Sequence, residues 1–232
     1  MLKIIERIGL PITNTSGIDC YEDCLDKKHF RNYPKEITYQ YNSRGFRDLE
    51  WPNDLTDVIW CVGDSFTTGI GQPFKETWPQ MLEKKIGKRC LNIGEDRCSN
   101  DMMRLRAEEI VKKYNPKLII IMWSYISRRL LNGKNIHYDY KDFNSESDLK
   151  NFLSNFNKID KLPVKILHTA IPYAFWNKQT LDVANKKTNG KLILYRQIDF
   201  ARDYHHFDIK TSEFVCKLIC NVIANKLKGF DK

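Results

Sequence analysis

The 232-residue chain has no long hydrophobic run; its longest strongly apolar stretch is Leu118 to Trp123. A membrane-spanning helix needs about twenty such residues, so no span and no membrane partner are expected. The opening Met1-Leu-Lys-Ile-Ile-Glu-Arg7 carries charges where a signal peptide needs an unbroken apolar segment, and the mature chain is expected to begin at or near Met1. Tight metal-binding knuckles are also missing. Cys20 and Cys24, like Cys216 and Cys220, are spaced by four, without the closer pairs and turns of a structural zinc site, so neither a metal nor a cofactor is expected. The seven cysteines form an odd set, and Cys61, Cys90 and Cys216 fall in segments that read as core. That pattern excludes a disulfide framework and suits a cytoplasmic or otherwise reducing compartment.

Clustered charge is scarce too. Lys and Arg number 38 against 29 Asp and Glu, a formal charge of +9, yet the basic residues come as isolated pairs such as Lys84-Lys85, Lys112-Lys113 and Lys186-Lys187. Without a basic helix or an aromatic-basic stacking motif, nucleic acid is not an expected partner. Spread positive charge would still raise encounter rates with anionic polymers such as acidic polysaccharide. Richness in Lys, Asn and Ile fits an AT-rich genome such as that of a virus or its host, and a virion-associated location stands beside the cytoplasmic one. What is present is a globular balance, 42% hydrophobic and 29% charged, on a length that suits one sizeable core.

Residues 1–56 are rich in turn signals (Asn14-Thr-Ser-Gly17, Asn32-Tyr-Pro34, Asn42-Ser-Arg-Gly45, Trp51-Pro-Asn-Asp54) and read as a loop-rich N-terminal segment. Within it Ile37 to Tyr41 alternates enough for a short strand. From Asp57 a β/α alternation sets in over 57–232. Strands are expected at 57–62, 89–93, 117–122, 164–169 and 191–195, and helices at 76–86, 100–114, 147–159 and 211–227. The natural product is an α/β fold, a three-layer α/β/α sandwich around a flavodoxin-like, doubly wound parallel sheet of five strands. In such folds ligands bind beyond the carboxyl ends of the strands, which here carry the segments 63–71, 94–100, 123–129, 171–176 and 199–208.

The sharpest of these is Gly63-Asp64-Ser65-Phe66-Thr67, where the apolar run Val58 to Val62 stops and a helix-like segment follows. A serine there presents its hydroxyl where free backbone N–H groups favour developing negative charge. The plainer account is that Asp64 and Ser65 only cap the helix. A serine hydroxyl becomes a useful nucleophile when an imidazole takes its proton and a third group orients the imidazole. The last loop offers both in Asp203-Tyr204-His205-His206, with His206 as base, Asp203 as its orienter and His205 as a rival.

The Gly63-Asp64-Ser65 turn and the Asp203-x-x-His206 spacing together resemble the SGNH or GDSL-type hydrolases, over roughly Asp57 to the C-terminus. The resemblance implies the sandwich fold, Ser65 as nucleophile, His206 as base and Asp203 as orienter. Asn42-Ser-Arg-Gly-Phe-Arg47 also looks like a motif that precedes the nucleophile turn in some members. Two departures stand out. Arg97, within Asn92 to Asn100, occupies the position where the family has an oxyanion-hole glycine, leaving the backbone N–H groups of Ser65 and Arg97 as expected oxyanion donors. The family's Gly-x-Asn-Asp is absent from Trp123-Ser-Tyr-Ile-Ser-Arg-Arg129. Trp123, Ser124 and Arg128 are then expected substrate-binding residues, with Arg128 or Arg129 as substitute oxyanion donors, unless both arginines are surface charges on a following helix. An aromatic rim of Trp123, Tyr173, Phe175 and Trp176 would suit sugar stacking. The expected activity is hydrolysis of a small acyl ester or O-deacetylation of a polysaccharide through an acyl-enzyme. A non-catalytic binding or structural module on the same fold is the alternative.

Overall fold

A computed structural model describes residues 17–19, 37–137 and 145–226. The Cys20/Cys24 pair and the turn signal at Asn32 to Pro34 lie outside them. Five strands form the parallel sheet: β3 (Ile59–Gly63), β4 (Cys90–Gly94), β5 (Leu118–Trp123), β8 (Lys165–Ala170) and β9 (Leu192–Ile193), in the order β4-β3-β5-β8-β9. Counted along the chain that is 2-1-3-4-5, the flavodoxin-like order, with its switch point between β3 and β5. The middle strand β5 reads Leu-Ile-Ile-Ile-Met-Trp and is buried along its whole length, as a strand covered by helices on both faces must be.

The helices are α1 (Ser65–Thr68), α2 (Trp78–Ile86), α3 (Asn100–Tyr114), α4 (Ser145–Asp160), α5 (Lys178–Lys187) and α6 (Ile209–Lys226). The first crossover runs opposite to the later ones, so right-handed connections place α2 with α6 on one face, and α3, α4 and α5 on the other. Local chemistry sets their ends. Ser99 caps α3 by accepting from Met102 N at 3.2 Å, and α3 stops at Asn115, left-handed at φ 42°, just before Pro116.

Three parts of the fold depart from the expected elements. Arg128 and Arg129 open not a helix but a hairpin, β6 (Arg128–Leu131) with β7 (Lys134–His137), whose turn residues Asn132 and Gly133 have φ 50° and 75°. A two-residue Asn-Gly turn with both φ positive matches the right-handed twist of the strands. The last sheet strand is two residues long rather than five. It pairs only at His168 with Leu192 and Thr169 with Ile193, after which the Tyr195 carbonyl turns to accept from Tyr173 N at 3.0 Å. Helix α5, absent from the expected set, is capped by Asn177, whose side chain accepts from Gln179 N.

Residues 37–56 run along the outer side of the sheet, where Asp48 Oδ2 accepts from Asn92 N of β4 at 3.1 Å. β2 (Ile37–Tyr39) pairs antiparallel with β1 (Gly17–Asp19), and Phe46 stacks on Trp51, which meets Trp60 of β3 edge-on. Arg47, wholly buried, donates to the carbonyls of Thr38, Thr68, Gly69 and Gln72. It thus collects the carbonyls at the C-terminal end of α1, where a cation is favoured.

Candidate active site

The Gly63-Asp64-Ser65 turn is shaped by what cannot be placed there. A Cβ on Gly63 would lie 2.0 Å from Thr67 Oγ1, and one on Gly94, its partner across the ladder, 2.4 Å from Thr68 N. Only glycines let α1 fold back onto the ends of β3 and β4. Asp64 then caps the turn: its Oδ1 accepts from Phe66 N at 3.0 Å, and its main-chain oxygen accepts from Thr67 N and Thr68 N. Among the described residues, the Ser65 N–H meets no acceptor.

Ser65 Oγ lies 2.7 Å from His206 Nε2, and His206 Nδ1 makes a short contact with Asp203 Oδ2. The other carboxylate oxygen of Asp203 accepts from the main-chain N–H groups of His205 (3.0 Å) and His206 (2.9 Å). Tyr204 between them takes φ 56°, which bends the chain around the carboxylate. The Phe66 ring packs on the His206 ring at 4.5 Å and on Phe207 at 5.3 Å, so the imidazole sits in an apolar slot with only its polar edges engaged. Asp199 anchors the loop from below by accepting from Lys210 N and Thr211 N at the start of α6.

Burial alone would raise the Asp203 carboxyl, but the hydrogen bond and positive charge of His206, with two backbone N–H groups, hold it down to about 2. This folded value lies below the roughly 3.9 of an unfolded aspartate. The stability Asp203 contributes is therefore present above about pH 4 and lost as pH falls through about 2. Denaturant midpoints of the wild type and Asp203→Asn should differ most above pH 4 and converge toward pH 2; an unchanging gap would contradict the assignment.

His205 does not face Ser65. Its Nε2 lies 2.9 Å from Tyr125 Oη, and its ring is parallel to that of Tyr125 and packed on Phe175. Burial, then the neighbouring His206, holds its pKa below the ordinary histidine value.

The residues after β4 and β5 take unexpected places. Arg97 is exposed and left-handed at φ 58°, the conformation glycine adopts without strain, so its backbone keeps a glycine-like path at a residue that disfavours it. Its loop touches the nucleophile turn through Gly94, and Glu95 N donates to the Gly63 carbonyl at 3.2 Å. Arg97→Gly is expected to raise stability by about 1 kcal/mol in urea unfolding, since relief of the strain exceeds the added chain entropy; a loss would show that the arginine side chain itself holds the loop.

Trp123 is a correction. β5 runs one residue further than expected, so Trp123 is its last residue and is fully buried, its ring edge-on to Phe152 and parallel to His168, to which Nε1 donates at 3.2 Å. It cannot touch a substrate from there. Trp176 is likewise buried against Phe152. The aromatic ring beside His206 is instead Phe66, while Tyr125 and Phe175 pack on the neighbouring His205. Ser124 and Arg128 are buried as well, and both engage Asp64 Oδ2, Ser124 through its Oγ and Arg128 through Nη1 at 2.7 Å. Arg129 is drawn the other way, to Asp148 of α4 at 2.7 Å. Tyr125, which braces this region, carried no sequence signal beyond a lone aromatic in a loop, whereas Arg47 lies in the Asn42 to Arg47 motif but nothing in its sequence marked it as buried. Among the described residues no group of three His, Cys, Asp or Glu side chains is placed to hold a metal ion.

Sequence comparison finds no family model and no curated protein that matches the chain. Solved structures do match. A lipolytic protein of the G-D-S-L family from Desulfitobacterium hafniense superposes with a TM-score of 0.52 at 14% identity, over 72% of this chain and 99% of that one. The psychrotrophic esterase EstA from Pseudoalteromonas matches at TM-score 0.53 and 14% identity, over 75% of this chain and 100% of that one. A family two carbohydrate esterase from Clostridium thermocellum, solved with cellohexaose, matches at 0.53 and 14%, over 78% of this chain and 67% of that one. The chain therefore has the fold of the SGNH or GDSL-type hydrolases.

Proposed function

We propose that the protein is a serine hydrolase of carboxylic esters. The observation that carries this reading is the hydrogen bond of Ser65 Oγ to His206 Nε2, with the other imidazole nitrogen on Asp203. Ser65 attacks the acyl carbon as His206 takes its proton, and His206 returns that proton to the departing alcohol. Water, deprotonated by the same imidazole, then attacks the acyl-enzyme and frees the acid and Ser65. Asp203 stays ionised, fixing the tautomer and stabilising the imidazolium. The free Ser65 N–H and the backbone N–H of Arg97 are the proposed donors to the oxyanion.

The proposed substrate is a small acyl ester, with an O-acetylated carbohydrate as the preferred class. Two features support it: the aromatic rings of Tyr125 and Phe175 packed on His205, the neighbour of the base, and the likeness of the fold to a carbohydrate esterase. A reducing compartment belongs to the same reading, since Cys61, Cys90, Cys98 and Cys216 are buried thiols of the core. The test is covalent labelling with a fluorophosphonate probe. The wild type should be labelled and Ser65→Ala should not; a wild type that stays unlabelled across the pH range where it is folded would remove the hydrolase reading and leave a binding module on a hydrolase fold.

A further inference from the structure

Asp64 is fully buried at the root of the nucleophile turn, and each of its acceptor oxygens has a distinct task. Its main-chain oxygen and Oδ1 take the N–H groups of Phe66, Thr67 and Thr68, leaving the Ser65 N–H as the free donor of the turn among the described residues. Oδ2 faces the other way. It accepts from Arg128 Nη1 at 2.7 Å and from Ser124 Oγ, and the same Nη1 reaches Ser124 Oγ at 2.9 Å. A carboxylate held at both oxygens cannot rotate, so the plane of Asp64 fixes where the Phe66 N–H points and, one residue earlier, where Ser65 sits.

The second half of the arrangement runs toward the base. The Arg128 guanidinium lies over the Tyr125 ring at 4.7 Å, and Arg128 N donates to the Tyr125 carbonyl at 3.1 Å. Tyr125 Oη meets His205 Nε2 at 2.9 Å, and His205 adjoins His206. Asn100 at the start of α3 completes the tie, donating from Nδ2 to the Tyr125 carbonyl and accepting from Ser124 N, each at 3.0 Å. Arg128 thus joins the turn that carries Ser65 to a loop that touches His205, the chain neighbour of the base.

We propose that Arg128 is a positioning residue for the Ser65 reaction: through Asp64 it sets the nucleophile turn, and through Tyr125 it registers that turn against the loop of His206. This rests on the hydrolase reading above. A buried ion pair with a purely structural task would affect stability and activity in step, because removing one partner leaves an uncompensated buried charge. A positioning task predicts that they separate.

The experiment compares the wild type, Arg128→Lys, Arg128→Met and Asp64→Asn/Arg128→Met. It measures hydrolysis of p-nitrophenyl acetate, the rate of fluorophosphonate labelling, and urea unfolding. Arg128→Met should lower kcat and the labelling rate by about a hundredfold or more, with KM changed less than about threefold, as misplacement of a reacting group does. The double variant has no unpaired buried charge and keeps the Oδ1 cap as an amide oxygen. It should regain stability while its kcat stays at least about tenfold below the wild type, because the amide nitrogen that replaces Oδ2 has no fork to orient it. Arg128→Lys keeps the charge without the planar fork and should fold, with a kcat between wild type and Arg128→Met; it decides the matter if Arg128→Met does not fold. Wild-type kcat in Arg128→Lys together with full recovery in the double variant would overturn the proposal in favour of a structural ion pair. An unlabelled wild type would instead bring down the hydrolase reading, and this proposal with it.

Discussion

His206→Ala is expected to lower kcat for a small ester by about five to six orders of magnitude, whereas His205→Ala keeps activity within about tenfold of the wild type. The first figure is what removal of the base costs when nucleophile, base and orienter act as a unit. The proposed roles rest on geometry: the His206 imidazole bridges Ser65 and Asp203, while His205 turns its Nε2 to Tyr125. Loss of His205 removes ring contacts with Phe66, Tyr125 and Phe175 and the bond to Tyr125 Oη but leaves the Ser65–His206–Asp203 contacts in place. Steady-state kinetics on both variants, with unfolding curves to show that each is folded, checks the prediction; the reverse ranking would move the base by one residue.

Gly94→Ala should be among the most damaging single-methyl changes at the described residues. The added Cβ would stand 2.4 Å from Thr68 N and 2.9 Å from the Thr67 carbonyl carbon, and both are backbone atoms that no rotamer change can withdraw. Either β4 or α1 must move, and α1 begins with Ser65. Overpacking of this kind costs about 1 to 3 kcal/mol, and more where backbone is involved. Turnover should fall further than stability alone explains, since a shift of about 1 Å in the nucleophile is worth about a hundredfold. A Gly94→Ala protein with normal unfolding and normal probe labelling would show that the turn is looser than its contacts imply.

Much of this arrangement could be read from the sequence because it rests on local patterns. Runs of β-branched and aliphatic residues bounded by turn residues marked the sheet strands, and α3 lies over Asn100 to Tyr114 as the periodicity and Pro116 required. The meeting of Ser65, Asp203 and His206 at one edge followed from topology, since each comes after a parallel strand. What escaped depended on a residue's facing or on distant partners. Trp123 sits where a strand's length, not its composition, decides between core and rim. Arg128 and Arg129 looked alike in sequence, and alternation along β6 sends one to Asp64 and the other to Asp148. The hairpin's signal was present in Asn132-Gly133, but Arg-Arg-Leu-Leu before it lacks the polar-apolar alternation that usually announces a strand.

The 141-residue separation of Ser65 and His206 bears on when the hydroxyl becomes dangerous. Asp203 and His206 lie within one short loop and can find each other locally, but neither can reach the serine until the strands between them have closed into the sheet and α6 has docked against α2. A chain still emerging from synthesis, or one whose C-terminal part has come away, therefore holds an ordinary alcohol at Ser65. On the proposed hydrolase reading, reactivity is the last property such a fold acquires and the first it gives up, and an incomplete copy would be chemically silent toward esters.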